Sequence, residues 1–175
     1  MSGESLTPEQ WLLAEDRGCL EQRATRLAWV AAEAPSAEIW IFPGGWLGQH
    51  LFEEARYCFV YGQFLASTVL GFAYIERTLA AMFYGAGRND LQRATSGKLL
   101  KEALAAGWID ERELEVFEKA RRLRNPLIHF REPLHNELPE SRAVTEERHP
   151  YEVVESDAKH ILEVMFRLVE RNAVG

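Results

Sequence analysis

Cysteine is scarce in this chain, with Cys19 and Cys58 the only two in 175 residues. Two are too few for a disulfide-stapled scaffold, and both are expected to be buried apolar thiols. A basic excess is also missing: 20 Lys and Arg stand against 27 Asp and Glu, for a net charge of −7 and a pI near 5.3. That argues against broad electrostatic adhesion to DNA or to an anionic membrane, while leaving room for a local basic site. Internal repeats and low-complexity tracts are absent. The opening Met1-Ser2-Gly3-Glu4-Ser5 has no basic region leading into an apolar run, so no secretory signal is expected and a cytoplasmic setting is.

Apolar residues, in contrast, are plentiful. They make up 47% of the chain, with five Trp, nine Phe and five Tyr, enough to offset chain entropy in one domain spanning 1–175. The stretch 57–75 carries no formal charge and approaches bilayer-spanning length. Its Gln63, Ser67, Thr68 and glycines favour the central helix of a bundle or a subunit interface over a membrane span.

Helical punctuation runs along most of the chain. Thr7-Pro8-Glu9-Gln10 forms a capping box, and Leu12, Leu20, Leu27 and Val30 come next at helical spacing until Pro35. Ile39-Trp40-Ile41-Phe42 reads as either a short strand or an extended connector packed along the bundle. One long helix is expected over 48–84 and a shorter one over 96–106. Asp110 and Glu113 form a second capping box, opening a helix that carries Leu114, Val116, Phe117, Ala120 and Leu123. Periodicity is lost over 131–155, where Pro133, Pro139 and Pro150 predict a long loop. Ser156 or Asp157 would cap a last helix. The expected architecture is all-α, a bundle of about five helices.

Arg124-Asn125-Pro126-Leu127-Ile128-His129 is the stretch richest in chemistry. Lys119, Arg121, Arg122 and Arg131 surround it with positive charge. A guanidinium is a permanent planar cation suited to phosphate, and an imidazole can exchange protons near neutrality. Together they suit cleavage of RNA, where a 2′-OH loses a proton and the phosphorane needs its charge stabilised. On an unbroken helix, residues five apart differ by about 140°. Arg124 and His129 would then face apart, whereas Asn125 and His129 would share a face. Either Pro126 starts a new helix capped by Asn125, with its N-terminus near His129, or the helix continues with a kink. The phase of Val116, Ala120, Leu123, Leu127 and Phe130 favours continuation.

The motif resembles the signature of HEPN domains, an arginine and a histidine separated by four to six residues, often with a polar residue after the arginine. The order of elements agrees: a long apolar helix bearing Glu76, a short helix with Lys98-Leu99-Leu100, the motif, then an apolar closing helix. The likeness covers about 50–172, with 1–45 as an N-terminal helical extension and connector. It implies a metal-independent endoribonuclease, of a type often found as a toxin or defence effector, acting as a homodimer with two motifs at one cleft. It also implies His129 as the proton-transfer residue, Arg124 as the phosphate stabiliser, Asn125 as the positioning residue and Glu76 as a partner for Arg124. Arg121, Arg122 and Arg131 are candidates to contact RNA phosphates, and an antitoxin or other regulatory protein would be a natural partner.

No cofactor or metal is called for. His135, His149 and His160 match no compact metal-ligand spacing with His129, and Gly85-Ala86-Gly87-Arg88 lacks the ending of a phosphate loop. The alternative to a nuclease is a non-catalytic helical module that binds protein or nucleotide, its acidic 131–155 segment meeting a basic partner or covering the site.

Overall fold

A computed structural model describes residues 6–174. The first five residues, where no targeting segment is expected, lie outside it. Seven α-helices account for most of the described chain: α1 (Pro8–Glu33), α2 (Gly45–Val60), α3 (Phe64–Gly85), α4 (Ser96–Ala105), α5 (Glu111–Ile128), α6 (Pro139–Thr145) and α7 (Pro150–Arg171). The all-α bundle is as expected, with seven helices where about five were anticipated. The connector supplies a strand of two residues, β1 (Ile39–Trp40). It pairs antiparallel with β2 (Ala173–Val174) and ties the connector to the end of the last helix. Trp40 and Phe42 pack on Phe52 at 5.4 and 5.5 Å between ring centres.

The extra helices come from two departures. The expected helix over 48–84 breaks between α2 and α3, where Gly62 adopts φ +76° and the Gln63 N–H bonds the Cys58 carbonyl. A Cβ on Gly62 would lie 2.6 Å from the Tyr151 hydroxyl and 3.0 Å from Arg26 Nη1, so both the turn and the close approach require glycine. The expected loop over 131–155 is irregular over 131–138 and 146–149 and helical elsewhere. Pro139 and Pro150 are not interruptions: each sits at a helix start, where a missing N–H costs nothing. His149 caps α7 in place of Ser156 or Asp157. Asp157 is instead buried and accepts both arms of the Arg142 guanidinium, fastening α6 to α7.

The middle of the bundle is α3, which packs against α2, α7 and α5. Phe72, Tyr74, Ile75, Leu79 and Phe83 are buried there, with Ser67, Thr68 and Thr78. Burial pushes the Tyr74 phenol up to about 12. Within 57–75 the core takes Phe59, Phe64, Phe72, Tyr74 and Ile75, while Tyr57, Tyr61 and Leu65 stay exposed. No helix among the described residues is long and apolar enough to cross a membrane. Cys19 and Cys58 are half-buried, not buried as expected. Along α1 only Arg26 and Val30 are buried, and Leu12, Leu20 and Leu27 face solvent.

Two outcomes can be checked by unfolding. A Cβ on Gly71 would meet Ile161 Cγ2 at 2.5 Å and the Met165 sulfur at 2.6 Å. Gly71→Ala should therefore lower stability by about 1–3 kcal/mol in urea denaturation, despite alanine's better helix propensity. On α7, His160 Nε2 lies 3.1 Å from the Val116 carbonyl, and desolvation holds its imidazole below the usual 6.5 even though that hydrogen bond opposes the shift. Nearby Lys119 and Arg167 lower it further. The unfolded chain therefore takes up this proton first, so stability falls as pH drops through 6.5 and levels off below the folded value. Urea unfolding between about pH 8 and about pH 5 should show a smaller loss in His160→Gln than in the parent.

Candidate functional site

The basic motif is carried on α5, which starts at a full capping box. Asp110 Oδ1 accepts from the Glu113 N–H at 2.8 Å, and the Asp110 N–H donates to Glu113 Oε2 at 3.0 Å. The helix runs unbroken through Pro126 to Ile128, and His129 closes it by donating its backbone N–H to the Asn125 carbonyl at 3.0 Å. Continuation is therefore the alternative realised, and no new helix begins at Asn125. The apolar series keeps its phase as far as Leu127, while Phe130 lies past the helix and is 87% exposed. Because the motif sits at a helix C-terminus, nearby backbone carbonyls repel an anion. Positive charge for a phosphate must come from side chains.

Arg124 is the anchored member. Its Nη2 donates to Glu76 Oε2 on α3 at 2.6 Å, its Nη1 lies 3.4 Å from Asn125 Oδ1, and its guanidinium stacks on the Phe72 ring at 4.7 Å. The Arg124 side chain is 14% exposed and that of Glu76 29%, so the pair is shielded but reachable. Arg124, Asn125 and Glu76 thus form one cluster. His129 stands apart at the exposed helix end, and among the described residues its ring bonds to none of the three. Its backbone C-cap conformation is extended, with φ −119° and ψ 128°.

The remaining basic candidates divide. Arg121 Nε pairs with Glu118 at 2.8 Å and Arg131 Nε with Glu137 at 3.1 Å, which offsets their charge. Arg122 is exposed and makes no ion pair among the described residues. The other histidines have structural partners: His50 packs edge-on against Trp46, His135 Nδ1 accepts from the Glu137 N–H, His149 caps α7 and His160 contacts Val116.

Beside Glu76 lies a groove of about 800 Å³ that sequence reasoning missed. Ala73, Glu76, Arg77, Ala80 and Tyr84 line it along one stripe of α3, with Leu51 and Leu99 as walls and Gln92 at its edge. Stepping by three and four residues from Glu76 would have marked that stripe. Arg77 is pinned there, its Nε donating to the Gly44 carbonyl at 2.8 Å. A smaller apolar groove of about 520 Å³ lies on the other side of the motif, against Pro126 and Leu127.

Comparison with protein-family models, with curated proteins and with solved structures returns no match. The functional reading therefore rests on this geometry.

Removing Glu76 should expose the dependence of the cluster on it. Glu76→Ala leaves a largely shielded guanidinium without its carboxylate, and should cost about 1–2 kcal/mol in chemical denaturation. A double-mutant cycle with Arg124→Met should recover much of that loss, since no unpaired cation then remains.

Proposed function

We propose that the chain is a metal-independent endoribonuclease of the HEPN type, working on RNA in the cytoplasm. The supporting observation is a pairing of opposites at the C-terminal end of α5: a guanidinium locked in place by Glu76 and Phe72, and an imidazole left open to solvent at His129, the residue that caps the helix. In the reaction, His129 removes the proton of a ribose 2′-OH, and that oxygen attacks the adjacent phosphorus. Arg124 offsets the charge gathering on the phosphorane, and the 5′-oxygen leaves with a proton taken from water while His129 gives up its own proton to solvent, giving a 2′,3′-cyclic phosphate and a 5′-hydroxyl. Asn125 lends its amide N–H groups to the phosphate, since its carbonyl oxygen already faces Arg124. Arg122 is the free cation best placed along the helix to hold a neighbouring phosphate.

The resemblance also implies a second copy, which would bring another Arg124 and His129 to the same cleft. That matters because within one chain Arg124 turns toward α3 while His129 turns to solvent. An inhibitory partner of antitoxin type would find apolar purchase next to His129 on Phe130 and Leu134, 87% and 86% exposed. A second reading, a non-catalytic module binding protein or nucleotide, is favoured by the Glu76 carboxylate that already neutralises Arg124.

One experiment separates the two. Purified chain should cleave RNA in the presence of EDTA, and His129→Ala should lower that rate by about a hundred- to ten-thousandfold. Since His129 is exposed, the variant's stability should stay within about 0.5 kcal/mol of the parent. Equal cleavage by both proteins, or a large loss of stability with no change in cleavage, refutes the nuclease assignment.

A further inference from the structure

Among the described residues, most of α1 is exposed to solvent. Every residue from 8 to 22 except Cys19 is exposed, and the helix joins the body only through the side chains around Arg23, Arg26, Trp29 and Val30. A free polar helix would need no explanation, but this one carries leucine at every seventh position. Leu13, Leu20 and Leu27 are 55%, 60% and 55% exposed, and Leu6 continues the phase just before the Thr7 cap. Taken as the d positions of a heptad, they place Gln10, Arg17, Ala24 and Ala31 at a. Leucine at d, with Ala24 and Ala31 at two of the four a positions, makes a seam that a second helix can approach. It lies about 100° around the axis from the stripe that holds α1 to the body, so pairing would not disturb that attachment.

We infer that α1 is a dimerisation arm, whose partner is α1 of a second copy of this chain, running antiparallel. Two observations select this occupant and this direction. The first is charge. In a parallel, in-register pair, Asp16 would oppose Glu21 of the second copy, a repulsion made twice. In the antiparallel pair Asp16 instead lies beside Arg23 of the second copy. Arg23 holds its own Asp16 carboxylate through Nη1 at 2.9 Å and the Asp16 carbonyl through Nη2 at 3.1 Å, and covers the Tyr61 ring at 4.8 Å; its side chain is 13% exposed, so what it offers a second Asp16 is positive charge at the edge of the seam. The second is space. Antiparallel pairing sets Leu13 against Ala24 and Leu20 against Arg17 of the second copy, which puts the two bodies at opposite ends of the rod. Each body then faces the stretch 8–22 of the other arm, where the helix is bare. A parallel pair would force both bodies to the same end. The polar Gln10 and Arg17 at a cost stability but restrict the register. This contact does not rest on the nuclease reading and is separate from the shared cleft that reading calls for, since here the two bodies lie at opposite ends of the rod; His129→Ala protein would pair through it equally well.

The test uses the full chain. Sedimentation across micromolar to submillimolar concentration should show reversible self-association, and Leu20→Glu should weaken it by at least about tenfold, with unchanged circular dichroism and melting. If the variant does not keep its fold, Ala24→Glu, also at an exposed position, serves instead. Direction is read by cross-linking with Cys19→Ser and Cys58→Ser in place. Leu13→Cys with Ala24→Cys in one chain should form an intermolecular disulfide, and neither single cysteine should. A chain monomeric throughout that range, or association untouched by Leu20→Glu and Ala24→Glu, overturns the arm. Cross-linking by Leu13→Cys alone overturns the antiparallel arrangement.

Discussion

Where α3 crosses α7, Gly71 leaves room for Ile161 and Met165, and each helix buries ten residues at the centre of the bundle. That crossing constrains the rest of the molecule. With α2, α5 and α7 all packed around it, α3 keeps only a narrow stripe open, and Glu76 is the one acidic residue on that stripe. When α5 settles on α3, Arg124 comes to the same place. The guanidinium meets both the carboxylate and the Phe72 ring, and the site takes its position from helix packing. Neither loop nor bound ion is needed to place it.

Magnitudes divide the work. Each fully buried Phe, Leu or Ile contributes about 1.5–3 kcal/mol relative to exposure, and the core has more than twenty buried apolar side chains. The Arg124–Glu76 pair is worth far less to the fold, because both partners lose water to make it. Its effect is orientational: a long, flexible side chain is held to one rotamer against an aromatic face. His129 is subject to no such hold. One residue beyond the last helical turn, it keeps its ring free for a proton and for whatever approaches from solvent. The same division separates the two ends of the molecule, since the body is closed by apolar burial while α1 leaves its leucines uncovered.

Much of this was legible in the residues. Both capping boxes form as read, because each is a local exchange of hydrogen bonds between residues three apart. The continuous phase across Pro126 was legible for a similar reason: the apolar spacing of α5 needs an unbroken helix to reach the core. Prolines 139 and 150 misled because a proline signals both a break and a beginning, and only the chain around it decides which. The break at Gly62 was hidden in an apolar run of unvarying helical character. It is closed locally, by Gly62 and Gln63 N–H groups bonded to the Phe59 and Cys58 carbonyls, while Tyr151 and Arg26, from distant parts of the chain, fill the space a side chain at 62 would need. Glu76 was picked out with its role unsettled, and the groove beside it went unseen because it is made by α2, α3 and α4 together.

By itself the sequence determined the helical class, the starts of α1, α4 and α5, the apolar supply for one core and the chemistry available on the Arg124–His129 stretch. All of these are set by neighbours within a turn or two, where spacing and side-chain type suffice. Tertiary structure alone decided that Glu76 meets Arg124 across 48 residues, that Asp157 is buried against Arg142 instead of capping a helix, and that the leucines of α1 stay in water. Those outcomes depend on which helices compete for the same core surface. That competition is settled by packing volume and desolvation summed over the whole chain, quantities that no local pattern contains.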